Sequence, residues 1–128
     1  MTNLLIIVAI HLSALSQIES GDNDSAVGAS GEITRYQIAP AVWEHQLSAF
    51  PHMASKHQDK MLSRMVAFEI WSHRLDDFQK VKNRNPSLEE LYLLWHRPAR
   101  VLCPHPRERE RSERFASLVL ALARGGSK

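Results

Sequence analysis

Cysteine occurs once in this 128-residue sequence, at Cys103, which excludes an internal disulfide framework and any multi-cysteine zinc site. No apolar run reaches the roughly 18 residues that a membrane-spanning helix needs. A surplus of charge is missing too: 16 basic residues face 14 acidic ones, a net +2, too balanced to argue for nucleic acid. What the chain does have is core material. Hydrophobic residues make up 44% of it, and Leu, Ile, Val and Phe together exceed the roughly 20% below which chains tend to disorder. The length is that of one domain, residues 1–128.

The first apolar stretch, residues 4–10 (LLIIVAI) followed by Ala14-Leu15-Ser16, has two readings. An h-region before small residues is the shape of a secretory signal. Against that, Met1-Thr2-Asn3 carries no Lys or Arg, and residues 3–20 contain no Gly or Pro to interrupt a helix. Ile7, Ile10, Ala14 and Ile18 recur at helical spacing, so a buried first helix is the stronger expectation.

Three of the five glycines fall in residues 21–31 (GDNDSAVGASG), a loop. Pro40 can open a short helix, and Pro51 interrupts it. From about residue 55 to 81, Met61, Leu62, Met65, Phe68, Trp71, Leu75, Phe78 and Val81 recur every three or four positions, predicting the longest helix and its core face. Asn85-Pro86 stops it. Ser87 with Glu90 three residues on predicts a capping box. The last helix spans residues 107–123, its apolar face carrying Phe115, Leu118, Val119 and Leu122, and Gly125-Gly126 ends it. Residues 33–38 suit a short extended piece. The sum is an all-α domain of about five helices with a Gly-rich loop after the first.

Glu19 stands where the first helix should end. The C-terminal carbonyls of a helix carry partial negative charge, which disfavours a carboxylate beside them, and apolar neighbours add a desolvation penalty in the same direction. A glutamic acid kept protonated near neutral pH is what a general acid needs to protonate a glycosidic oxygen. A lone Glu at a helix end is ordinarily a solvated surface residue; its sequence context gives this one weight.

That context is Ile18-Glu19-Ser20-Gly21, then Asn23, Ala26-Val27-Gly28, Gly31, Tyr36-Gln37-Ile38, Pro40 and Trp43. It resembles the opening of the lytic transglycosylase and goose-type lysozyme group, where a first helix ends in Glu-Ser-Gly, a glycine-rich loop follows, and a Gly-x-x-Gln-type segment precedes a helix with an aromatic residue. Residues 91–101 (LYLLWHRPARV) look like a divergent copy of that group's Ala-Tyr-Asn-x-Gly segment. The resemblance implies a lysozyme-like fold and cleavage of the N-acetylmuramic acid–N-acetylglucosamine bond of peptidoglycan outside the cytoplasm, the alternatives being a lysozyme-type hydrolase and a catalytically degenerate glycan-binding or structural relative. It implies Glu19 as the single acid/base and Ser20 as a polar neighbour. Tyr36 and Gln37 would line the cleft; their other readings are a half-buried structural aromatic and a loop-bracing amide. The group's Tyr-Asn pair falls on Trp95-His96, and its glycine on Arg97-Pro98. Trp95 has no hydroxyl, but its indole can stack on a sugar ring and donate one hydrogen bond; its other reading is a core anchor.

The remaining residues carry less. His45, His52 and His57 show no metal-ligand spacing, and no cofactor or metal is expected. No Gly-x-Ser-x-Gly elbow exists. Asp22, Asp24 and Glu32 are the candidate second carboxylates that a hydrolase would need to activate water; as loop residues they also suit turn hydrogen bonding. Met53, Met61 and Met65 read as core filler. Arg97, Arg100, Arg107, Arg109, Arg111 and Arg114 interleave with Glu108, Glu110 and Glu113. Such mixing reads as a solvated face, capable at most of weak contact with an anionic cell-wall polymer. Peptidoglycan glycan strands are the expected partner, nucleic acid is not, and the chain is expected to act as a monomer.

Overall fold

Among the described residues, proline opens four of the seven helical segments. The computed structural model describes residues 4–125 and contains α1 (Ala9–Ser20), α2 (Pro40–Gln46), a 3-10 helix (Pro51–Lys56), α3 (Lys60–Lys82), α4 (Leu88–His96), a second 3-10 helix (Pro98–Arg100) and α5 (Pro106–Ala123). The fixed φ of proline suits the first helical position, where its missing N–H is no loss. The chain is all-α. Its β character among the described residues is two isolated antiparallel bridges, Val27–Ile33 and Ile33–Ile38; residues 34–37, expected to be extended, form a turn instead. The Ser87–Glu90 capping box forms at the start of α4, with both reciprocal hydrogen bonds in place. Among the described residues no helix is long and apolar enough to cross a membrane. Met1-Thr2-Asn3 and Gly126 lie outside the described residues.

Two expectations about packing are corrected. The helix read into residues 3–20 begins only at Ala9. Residues 4–8 alternate instead: Leu4, Ile6 and Val8 are exposed, whereas Ile7 is buried. The β-branched run Ile6-Ile7-Val8 favours extended backbone. Leu5 is pinned at both polar atoms, its N–H donating to Asn85 Oδ1 at 2.9 Å and its carbonyl accepting from Gln79 Nε2 at 2.9 Å. His11 Nδ1 accepts the Val8 N–H at 3.0 Å, satisfying one of the free donors at the start of α1. Burial holds the His11 imidazole below its usual pKa. The buried positions of α1 are His11, Leu12, Ala14, Leu15 and Ser16, while Ile10 and Ile18 are half-buried.

The second correction concerns α3. Trp71, Leu75 and Phe78 are buried as its period predicts, but Met61, Met65 and Phe68 are 66%, 59% and 39% exposed, and Val81 is exposed as well. The buried positions in the first half of α3 belong to Ser63, Val66, Ala67 and Ile70. Met61 and Met65 are therefore not core filler. Small residues take the fully buried places because a close-packed interior selects by volume as well as by polarity.

The described chain divides into two compact units, residues 4–14 with 71–125, and residues 15–70. In the first, α4 and α5 pack together and Trp71 is fully buried. Its ring meets Trp95 and Phe115 edge-on, each at 5.8 Å, and its Nε1 donates to the Leu91 carbonyl at 2.9 Å. Arg74 donates to the carbonyls of Leu94 and Trp95 at 3.3 and 2.6 Å, placing a cation on the negative end of α4. In the second unit, Tyr36, Ile38, Trp43, Leu47, Val66 and Ile70 are buried. Trp43 Nε1 donates to Ala54 O at 2.8 Å, tying α2 to the 3-10 helix after it.

Candidate functional site

α1 ends in the unit of residues 15–70, and Glu19 lies half-buried in its last turn. Gly21 and Asp22 then take positive φ angles of 64° each. Glycine does this without a Cβ penalty, and aspartate is among the residues that tolerate it best. The Gly21 N–H donates to Gln17 O at 3.0 Å and the Asp22 N–H to Ser16 O at 3.3 Å. These bonds satisfy carbonyls that the end of a helix leaves open and turn the chain sharply after Glu19.

Ser20 is the link between that turn and the next. Its Oγ donates to Arg35 O at 2.7 Å and accepts the Asn23 N–H at 3.1 Å. The end of α1 is thereby bonded to the backbone immediately before Tyr36 and Gln37. Ser20 thus serves the backbone on both sides of the loop.

The turn at residues 34–37 is itself strained. Thr34 and Gln37 have φ angles of 69° and 57°. A β-branched residue at positive φ is a genuine outlier, and such conformations cost about 1–3 kcal/mol each. Three groups of contacts hold it. Ile33 and Ile38 exchange backbone hydrogen bonds at 2.8 and 2.7 Å, and the Thr34 hydroxyl accepts the Tyr36 N–H at 3.0 Å. Gln37 Nε2 donates to Thr34 O at 3.0 Å and to Ala26 O at 3.5 Å. Gly28 admits this closure, since a Cβ there would collide with Glu32 Oε1 and Gln37 Oε1.

Electrostatics complete the brace. Arg35 meets Asp24 in a two-pronged pair, Nε to Oδ1 at 2.7 Å and Nη2 to Oδ2 at 2.8 Å, and also lies 3.7 Å from Asp22. Asp22 accepts the Ser16 hydroxyl at 2.5 Å. The Arg35 hydrogen bond holds the Asp24 carboxyl below the usual range, against an opposing push from burial. Glu32 accepts the Ser30 N–H at 3.1 Å. Tyr36 is buried, a core position rather than the cleft wall expected of it, with burial pushing its phenol up and the positive charge of Arg64 on α3 opposing.

Four of the five site residues read from sequence, Glu19, Ser20, Tyr36 and Gln37, therefore belong to one unit, in which Ser20 bonds the backbone adjoining Tyr36. Trp95 belongs to the other unit. It is 6% exposed, edge-on to Trp71 with Arg74 over its ring, the surroundings of a core anchor. Sequence reasoning missed Arg35, Thr34 and Arg64. The opposite charges of Asp22, Asp24 and Arg35 around a turn were the available signal for the first. Among the described residues no group of three or more His, Cys, Asp or Glu side chains is placed to hold a metal ion. No known family, curated protein or solved structure matches the chain.

Proposed function

We propose that this chain cleaves the N-acetylmuramic acid–N-acetylglucosamine bond of peptidoglycan by a lytic transglycosylase route, outside the cytoplasm, with Glu19 as the single acid/base. The observation that carries this reading is the Ser20 Oγ to Arg35 O bond of 2.7 Å. It joins the Glu-Ser-Gly helix end to the Tyr-Gln-Ile turn, the two motifs that carry the resemblance. In the proposed reaction Glu19 gives its proton to the glycosidic oxygen as the C1–O bond breaks. The carboxylate then takes the proton of the muramic acid 6-hydroxyl as O6 bonds to C1. A 1,6-anhydro end forms and no water is consumed. Ser20 and Gln37 hold the loop in shape, and Tyr36, 2% exposed, supports it from the core of its unit.

The state of the other loop carboxylates favours this route over hydrolysis. A hydrolase of the inverting kind needs a second carboxylate free to activate water. Both Asp24 oxygens are engaged by Arg35, Asp22 accepts a hydroxyl and faces the same guanidinium, and Glu32 is turned to its own loop. The test is mass analysis of fragments released from purified peptidoglycan. Anhydromuramic ends, lighter by one water than hydrolysis products, are expected. Reducing ends would transfer the reaction to a hydrolase, and no release at all would overturn both.

A further inference from the structure

The exposed apolar side chains of α3 are not scattered. Met61, Met65 and Phe68, at 66%, 59% and 39% exposure, are spaced i, i+4 and i+7 and so share one helix face. They span about 10 Å of helix. Lys60 and Arg64, also four apart, run along one edge of this stripe. That edge adjoins the loop of the candidate site, because Arg64 acts electrostatically on Tyr36 and Lys60 on Asp24. Among the described residues no carboxylate lies within ion-pair distance of Lys60 or Arg64. Asp24, on which Lys60 acts electrostatically, has both oxygens taken by Arg35. An apolar strip with a basic border therefore starts beside Tyr36 and follows α3.

Size decides what fits it. A stable protein interface covers about 800 Å² on each partner, and three partly exposed side chains offer roughly 300 Å². Extended peptide advances about 3.4 Å per residue, so three or four residues match the length of the strip. Resting on the reading of Glu19 given above, we propose that Met61, Met65 and Phe68 with Lys60 and Arg64 form a docking strip for the stem peptide of peptidoglycan. That short peptide hangs from the lactyl group of muramic acid. Its alanine methyls suit the apolar face, and its free carboxylates suit Arg64 and Lys60. The chain would then select strands that still carry their peptides.

The experiment measures binding by titration calorimetry, with the full chain carrying Glu19→Gln so that fragments stay intact. Soluble glycan fragments bearing tetrapeptide stems are compared with the same fragments stripped of peptide by an amidase. The stem-bearing fragments should bind at least 10-fold more tightly. Arg64→Ala should weaken the stem-bearing fragments about 10-fold more than the stripped ones, and Arg64→Lys should restore part of that difference. Met65→Gln, at a site already 59% exposed, should weaken only the stem-bearing fragments, about 3-fold. Equal affinity for the two fragments overturns the inference, as does failure of both to bind. So does an equal loss for both in Arg64→Ala, which would reduce Arg64 to a support for Tyr36. A concentration-dependent dimer that Met65→Gln abolishes would give the strip to a second copy of the chain and also overturn it. Preference for stems in a protein that releases nothing from peptidoglycan would sustain the strip and overturn the lytic reading, so the two can fail separately.

Discussion

The two units hold their shape by different means. Residues 4–14 with 71–125 centre on Trp71, locked between Trp95 and Phe115, with His11 6.3 Å away. In residues 15–70 the loop after α1 has positive φ at Gly21, Asp22, Gly31, Thr34 and Gln37, and polar side chains hold it: Ser20, Asp24, Arg35 and Gln37. Apolar burial is non-directional; it stabilises a compact state without dictating a torsion angle. Hydrogen bonds are directional and can keep a costly turn in place. Strain of this kind clusters where function needs a fixed geometry, and here it flanks the helix end that carries Glu19.

The sharpest way to break the comparison is to remove chemistry from the loop without touching either core. Glu19→Gln keeps the shape of the side chain but cannot donate a proton of useful acidity. Release of fragments from peptidoglycan should fall by about 10²–10⁴-fold, with helical circular dichroism and thermal unfolding unchanged. A folded Glu19→Gln protein with full activity would remove Glu19 from the acid role.

Next in size is the reverse experiment. Trp71→Ala should cost about 3–5 kcal/mol, because it empties a fully buried site shared by Trp95 and Phe115 and removes the bond to Leu91 O. Denaturant unfolding measures it. A loss under 1 kcal/mol would mean that the aromatic cluster is not what holds this unit.

The same contrast explains what the sequence revealed. Elements with a local cause were legible. The Ser87 capping box, the proline-led start of α2, and the buried Trp71, Leu75 and Phe78 all follow from nearest neighbours and period. Where long-range partners decide, the reading failed. Residues 4–8 stay outside the helix partly because Asn85 and Gln79, far along the chain, bind Leu5. In the first half of α3, Met61 and Met65 look like core, yet Ser63 and Ala67 are the fully buried ones, and no helical period distinguishes a face by the volume available to it. In the site, the order of Glu19, Ser20, Tyr36 and Gln37 was visible as a motif. The Arg35–Asp24 pair was not, since 11 residues separate its partners and only the fold of the loop brings them together. Trp95 was read as a sugar platform with a core alternative, and its burial is that of the alternative.

The smallest effect has a sign that depends on pH. Asp24 is held below the ordinary carboxylate value chiefly by the Arg35 hydrogen bond, with burial opposing. A carboxylate with a depressed folded pKa stabilises the fold above its unfolded value, and that stability is lost as pH falls through the folded one. Arg35 stays charged throughout, so Asp24 alone sets the window. Asp24→Asn should therefore lower stability at pH 7 by about 1–2 kcal/mol, the modest end of what a charged hydrogen bond contributes, because the pair is partly open to solvent. The gap between wild type and variant should stay constant from pH 7 to about 5, narrow below the unfolded aspartate value near 4, and close once the native Asp24 is protonated. Urea unfolding across this range measures the gap. Fragment release at pH 7 should fall in the same variant, since the Arg35 backbone that receives the Ser20 hydroxyl loses its anchor. A gap that persists undiminished at the lowest pH, or a variant as active as wild type, would show that the polar brace is not what keeps the loop in its strained form.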